Sequence, residues 1–375
     1  MLLIPGPVEV PDIVKEGSAY VQNHRSYEFK NIVANCRELL KEFSGASESV
    51  ATTGSGTTAV ESMIYSFNKP GDDVLCFSFG EFGNRLADSI RNRGCNLTLV
   101  EKGEKSTIEK GEVSDYFQKN KKLSSLYLVH NETGNGTELK NLKEVVSEAK
   151  SLGLNVYVDS VSGFGATEIM VDDWGIDAVA TCSQKGLASV PGLGIVLLGN
   201  DALPELRNQS YCPAYLNLAI SVKFFQKNET PYTPSTGSFR SLYYALQILR
   251  NEGLARRWKR HEVLSRIVRE TLARMDVKIY GTQRNFSNSV IAFDPGIPVE
   301  KFVSELANED IIVSRGMGIF RDSMVRVGIL GVVDNIKISR FLNASSKALG
   351  KPDRVDPENL PEESKFYDKW LDINR

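Results

Sequence analysis

The chain has 375 residues, with 45 Lys and Arg against 47 Asp and Glu, for a formal net charge of −2. At ~100–200 residues per domain, this length means two compact units or one large unit with an appendage. Hydrophobic residues at 41% and charged residues at 25% exclude extensive disorder, and the balanced charge leaves no electrostatic footprint for nucleic acid or an anionic membrane.

From about Val50 to Gly199 short apolar runs alternate with amphipathic stretches. Val60, Met63, Ile64 and Phe67 form one helical face. The runs 73–79, 97–100, 126–129, 154–158, 178–182 and 194–198 read as strands. Leu142, Val145, Val146 and Ala149 repeat the helical spacing, and Gly153 is placed to end that helix in the left-handed conformation. Strands alternating with helices predict a mostly parallel, three-layer α/β sheet whose strand ends, and any ligand, lie along one edge.

After about Arg240 the texture changes. One long helical tract is predicted over 242–275, then strands at 289–293, 311–313 and 325–328, with helices near 299–308 and 335–349. This reads as a smaller α+β domain. The expected organisation is an N-terminal segment over 1–20, a large domain over 21–250, the small domain over 251–350 and a charged tail over 351–375. Phe366, Trp370 and Leu371 give that tail a short helix that either docks or frays.

Five cysteines, odd in number and never CxxC, argue against a disulfide framework or structural zinc and suit a reducing compartment. With no apolar run near the ~18–20 residues that span a bilayer, and no basic flank before Pro5, the expectation is a soluble cytoplasmic protein. His24, His130 and His261 stand apart from one another and from cysteine, so no metal is expected. His130 reads as a strand-end hydrogen bonder and His261 as part of a charged helix.

Three features carry chemistry. Thr53-Gly-Ser-Gly-Thr-Thr58, between a strand and a helix, is either an anion cradle or an ordinary Gly-rich turn with a hydroxyl cap. It matches neither a Walker loop nor GxGxxG. Asp159 ends an apolar strand, facing the ligand crevice or capping a helix. Lys185, in Ser-Gln-Lys-Gly beyond the strand at 178–182, becomes a nucleophile or base if desolvated. Together they meet the needs of a pyridoxal phosphate site. The cradle takes the phosphate, the lysine forms the Schiff base, and the carboxylate keeps the pyridine nitrogen protonated.

From Pro5-Gly-Pro7 to about Gly331 the chain resembles the class V aminotransferases of the type I pyridoxal phosphate fold, nearest the alanine–glyoxylate and serine–pyruvate group. The resemblance implies a Lys185 bound covalently to the cofactor, with Asp159 partnering the pyridinium. Ser55, Gly56, Thr57 and Gln184 would hold the phosphate, Phe82 would stack on the ring, and Thr133 would lie near the phenolic oxygen. Relatives carry further hydroxyls where this chain has Gly134 and Asn135. Thr233 resembles a residue lent to the neighbouring subunit's phosphate in a homodimer. Arg326, in Met-Val-Arg-Val-Gly, matches a substrate-carboxylate arginine, although its pattern alone also suits the polar face of an edge strand. The Gly6 segment would close over substrate, and His24 would sit near the site mouth. The implied reaction is ping-pong transfer of an amino group from serine or alanine to pyruvate or glyoxylate. Phosphoserine transamination and cysteine desulfuration are the alternatives, the latter disfavoured because no cysteine follows Cys212.

Overall fold

The alternation of strands and helices builds a seven-stranded sheet in the computed structural model, which describes residues 1–206, 212–351 and 354–373. In chain order the strands are β1 (Glu48–Gly54), β2 (Asp73–Ser78), β3 (Asn96–Glu101) and β4 (Leu123–Val129). A two-residue hairpin follows, β5 (Asn131–Glu132) with β6 (Thr137–Glu138), then β7 (Asn155–Asp159), β8 (Ala178–Cys182) and β9 (Gly192–Leu198). The large sheet has the order β1-β9-β8-β7-β4-β2-β3. Only β9 runs against the others, pairing antiparallel with β1 on one side and β8 on the other. Val74 to Phe77 in β2 are all fully buried, as a sheet covered by helices on both faces requires. The helix Gly56–Phe67 buries Val60, Met63 and Ile64, three of the four expected face positions.

A second sheet, β10 (Lys278–Ile279), β11 (Val290–Asp294), β12 (Ser314–Arg315) and β13 (Val325–Gly328), is antiparallel in the order β10-β11-β13-β12. Its apolar core joins Leu264, Phe293, Phe302, Val325 and Phe341 from the sheet and the helices Leu254–Arg274, Val299–Asn308 and Asn335–Leu349.

Three readings change. The strand expected at 311–313 lies at Ser314–Arg315, because the chain start occupies the backbone of Ile312. Leu3 N–H donates to the Ile312 carbonyl at 2.8 Å and Ile312 N–H to the Met1 carbonyl at 2.9 Å. The single tract over 242–275 is two helices, Thr236–Glu252 and Leu254–Arg274, parted where Gly253 takes φ +80°. Arg326 lies on β13, an interior strand, and is buried. His261 lies in the charged helix Leu254–Arg274 as expected, and is fully buried there. Of the two readings of the tail, docking holds: Trp370 is 1% exposed.

Candidate active site

Strands β1, β2, β4, β7 and β8 point their carboxyl ends to the same edge, so the loops that follow them converge. Ser55, Gly56 and Thr57 follow β1, and Phe82 follows β2. Asp159 is the last residue of β7, and Gln184 and Lys185 follow β8. All seven line one cavity of about 170 Å³, whose wall is completed by Val60, Arg85, Leu86, Ser89 and Val161.

The glycine-rich turn is an opened helix start. Ser55 N–H donates to Thr58 Oγ1 at 3.2 Å, which fixes the turn. A Cβ on Gly56 would lie 2.7 Å from Val161 Cγ2, so only glycine lets the helix begin this close to the Asp159 loop. The first N–H groups of Gly56–Phe67, with the Ser55 and Thr57 hydroxyls, face the cavity as an anion site would.

Asp159 is buried, and its Oδ1 accepts from Val161 N–H at 2.9 Å. Burial pushes its carboxyl up to about 6, against the pull of that N–H and of Lys185. Burial also holds the Lys185 ammonium below its ordinary value; Cys182 and Asp159 oppose this and Arg326 adds to it. Lys185 Nζ donates to the Pro5 carbonyl at 2.7 Å. The next residue, Gly6, sits at φ +143°, and a Cβ there would lie 2.6 Å from the Lys185 side chain. The N-terminal segment therefore lies directly on the lysine.

Arg326 is aimed by two carbonyls, Nε donating to Arg315 at 2.9 Å and Nη1 to Thr133 at 3.1 Å. Burial lowers its pKa, and Glu132 pulls the other way. Thr133 Oγ1 is 2.6 Å from Ser162 Oγ. Glu132 itself escaped the sequence reading. It is 1% exposed and accepts N–H groups from Phe82 at 3.0 Å, Gly83 at 3.0 Å and Gly134 at 2.8 Å. Burial raises it to about 7 despite those bonds. It thereby ties the helix start carrying Phe82 to the loop carrying Thr133. A Cβ on Gly134 would lie 2.8 Å from Glu132 Oε1, which accounts for glycine where a hydroxyl residue was expected. Asn135 turns inward, donating to the Phe79 carbonyl at 2.8 Å. Arg85 was also missed; its guanidinium lies 5.0 Å from the centre of the Phe82 ring. The only signal for it was the i+3 spacing from Phe82 on one helix.

Thr233 is not brought to this cavity; it lines a separate shallow pocket with Tyr215 and Tyr232. His24 does not line the cavity either. His130 bonds at a strand end as expected, Nδ1 to Ser160 Oγ at 2.9 Å, and burial lowers it to about 4. Among the described residues no cluster of His, Cys, Asp and Glu could hold a metal, and no helix is long and apolar enough to cross a membrane.

Residues 14–347 match the family model for class V aminotransferases. The chain belongs to the class V aminotransferases. An uncharacterised aminotransferase of Methanocaldococcus jannaschii is 33% identical over 93% of this chain and 92% of its own length. A serine–glyoxylate aminotransferase of Methylorubrum extorquens is 26% identical over 90% and 88%. The solved alanine–glyoxylate aminotransferase of a Nostoc species superposes with a TM-score of 0.87 at 26% identity, covering 93% of this chain and 94% of that one. Class V membership implies pyridoxal phosphate as cofactor, with amino acids and 2-oxo acids as substrates. The site fits such a group. The cavity joins a helix start rich in N–H and hydroxyl donors, an aromatic face, a buried carboxylate with no strong cation beyond Lys185, and a desolvated amine.

Proposed function

We propose that this class V aminotransferase moves the amino group of serine or alanine to pyruvate or glyoxylate, in two half-reactions on pyridoxal phosphate. The observation that carries the reading is Asp159 and Lys185 at adjacent strand ends, across one cavity from the Ser55–Thr57 helix start. Bound there, the cofactor supplies an electron sink for the carbanion formed at the substrate Cα. Ser55, Gly56, Thr57 and Gln184 hold its phosphate, and Phe82 packs on its ring. Asp159 keeps a proton on the ring nitrogen, an ion pair that offsets the cost of burying the carboxylate.

Lys185 is the covalent anchor. Its lowered pKa leaves Nζ able to take the proton from substrate Cα and deliver it again, acting as base and then acid. Arg326, already aimed by two carbonyls, binds the α-carboxylate as a planar fork and sets the Cα–H against Nζ. The Pro5-Gly6-Pro7 segment covers the amine and excludes water. We also infer a homodimer in which exposed Thr233 reaches the partner's phosphate, and a cytoplasmic setting, in keeping with five free cysteines. Of those, Cys36, Cys76 and Cys182 are buried and none lines the cavity, which speaks against desulfuration.

The purified protein is expected to be yellow, to bleach with L-serine or L-alanine, and to regain colour with pyruvate or glyoxylate. The K185A variant should lose turnover about a thousandfold or more. Colour that no amino acid bleaches would overturn the reaction assigned here. A second reading, a donor with an anionic side chain, is favoured by Arg85, which lines the cavity and repels Arg326. It predicts that R85Q raises KM for L-aspartate about five- to tenfold and leaves KM for L-serine unchanged. Equal effects on both donors would remove it.

A further inference from the structure

The tail beyond residue 350 lies outside the residues 14–347 matched by the family, yet its Trp370 is buried, with Phe366 and Tyr367 half-buried beside it. Trp370, 1% exposed, and Ile373, 8% exposed, share one apolar cluster with Val8, Val10, Val14 and Leu330. Phe366 and Tyr367 meet the Trp370 ring edge-on, at 4.9 and 5.2 Å between centres. The tail is pinned on the other side by Asn251, whose Nδ2 donates to the Asp372 carbonyl at 2.7 Å.

The partners of this cluster lead straight to Lys185. Val8 and Val10 continue the segment whose Pro5 carbonyl accepts from Lys185 Nζ, and Val8 N–H donates to the Gln184 carbonyl at 3.3 Å. A second route runs through the helix Leu254–Arg274. Arg256 lies 5.0 Å from the Tyr367 ring centre and 5.4 Å from that of Trp370, and Arg260 lies 5.4 Å from that of Phe366. Between them Arg257 donates to the Gly186 carbonyl at 2.5 Å and to the Gly165 carbonyl at 2.9 Å. Both routes end on residues next to the lysine.

We propose that Trp370 is a positioning residue, holding the 5–10 segment down over Lys185 from the outside. The indole is the largest side chain in the apolar cluster that holds Val8 and Val10. Without it the chain start keeps the Leu3 hydrogen bonds to Ile312 and Gly328, but the 5–10 segment loses part of the apolar cluster that keeps it over the amine. The main core of the large sheet is a separate cluster, so loosening the segment leaves that core intact.

The inference rests on the transaminase reading for its kinetics alone; hydrogen exchange tests it whatever the reaction is. In the full-length, cofactor-loaded protein, W370L should speed amide exchange of Gly6, Val8, Glu9 and Val10 about tenfold or more, with exchange in β2, β4 and β7 unchanged. KM for the amino acid should rise several-fold with kcat less affected, and the visible circular dichroism of the bound cofactor should weaken. W370F should restore all three. Unchanged exchange at residues 6–10, or a rise in KM that W370F does not reverse, would overturn the proposal. Should W370L not fold, V10A approaches the same contact from the other side and must give the same exchange pattern, or the proposal fails.

Discussion

Two groups of charges are buried to the same degree in this molecule and respond in opposite ways. Between the two long helices, Glu252 meets Arg257 at 2.8 Å and Arg260 at 2.6 Å, with every side chain at most 2% exposed. The two guanidinium groups hold the Glu252 carboxyl at about 2 against a burial that would raise it. At the cavity edge, Asp159 and Glu132 are also buried but pushed up to about 6 and about 7, because burial outweighs their backbone N–H bonds and, at Asp159, the pull of Lys185. The first group is complete in itself. The second is complete only when a cation arrives, which is the electrostatic mark of a binding site.

Breaking the complete group has the largest expected effect. E252Q leaves two guanidinium groups buried with no counter-charge, and urea unfolding should show a loss of about 3–5 kcal/mol. The incomplete group behaves the other way. Asp159 has a folded-state pKa above its ordinary 3.8, so its contribution to stability is present below about pH 4 and lost as pH rises through about 6. In cofactor-free protein, D159N should therefore raise stability above pH 6, by on the order of 2–3 kcal/mol, and match wild type at pH 4. Thermal unfolding across that range checks the sign; a loss at pH 7 would contradict it. A solvated pair sets the lower bound. Arg284 and Glu109, 69% and 62% exposed, meet at 2.9 Å, and R284A should change the urea midpoint by no more than about 0.5 kcal/mol of stability.

Of the incomplete group, Asp159 was the legible member. Asp159 and Lys185 follow apolar strands whose period is visible in the sequence, and parallel pairing brings successive strand ends to one edge whatever the fine packing. Helices 299–308 and 335–349 were equally plain, since their apolar faces repeat without interruption. The complete group was hidden. Over 242–275 the helical spacing runs on through Gly253, and a continuous helix would carry Glu252 away from Arg257, five residues on. Only the turn made by Gly253 at φ +80° folds the second helix back to meet it. Glu132 was hidden for another reason: its partners are backbone N–H groups, which no residue pattern records. The strand expected at 311–313 was displaced because Ile312 bridges the chain start, more than 300 residues earlier, while Ser314–Arg315 pairs with β13.

Gly186 shows what this design costs in freedom. A Cβ there would lie 2.1 Å from the Phe164 carbonyl, so the turn after the lysine has no slack, and its own carbonyl is held by Arg257 from the far helix. The turn that carries Lys185 is thus anchored mechanically to both cores at once. Any swing of the second core about the helix Leu254–Arg274 would drag the lysine's turn along with it. The two halves of this chain move together or Lys185 moves out of place.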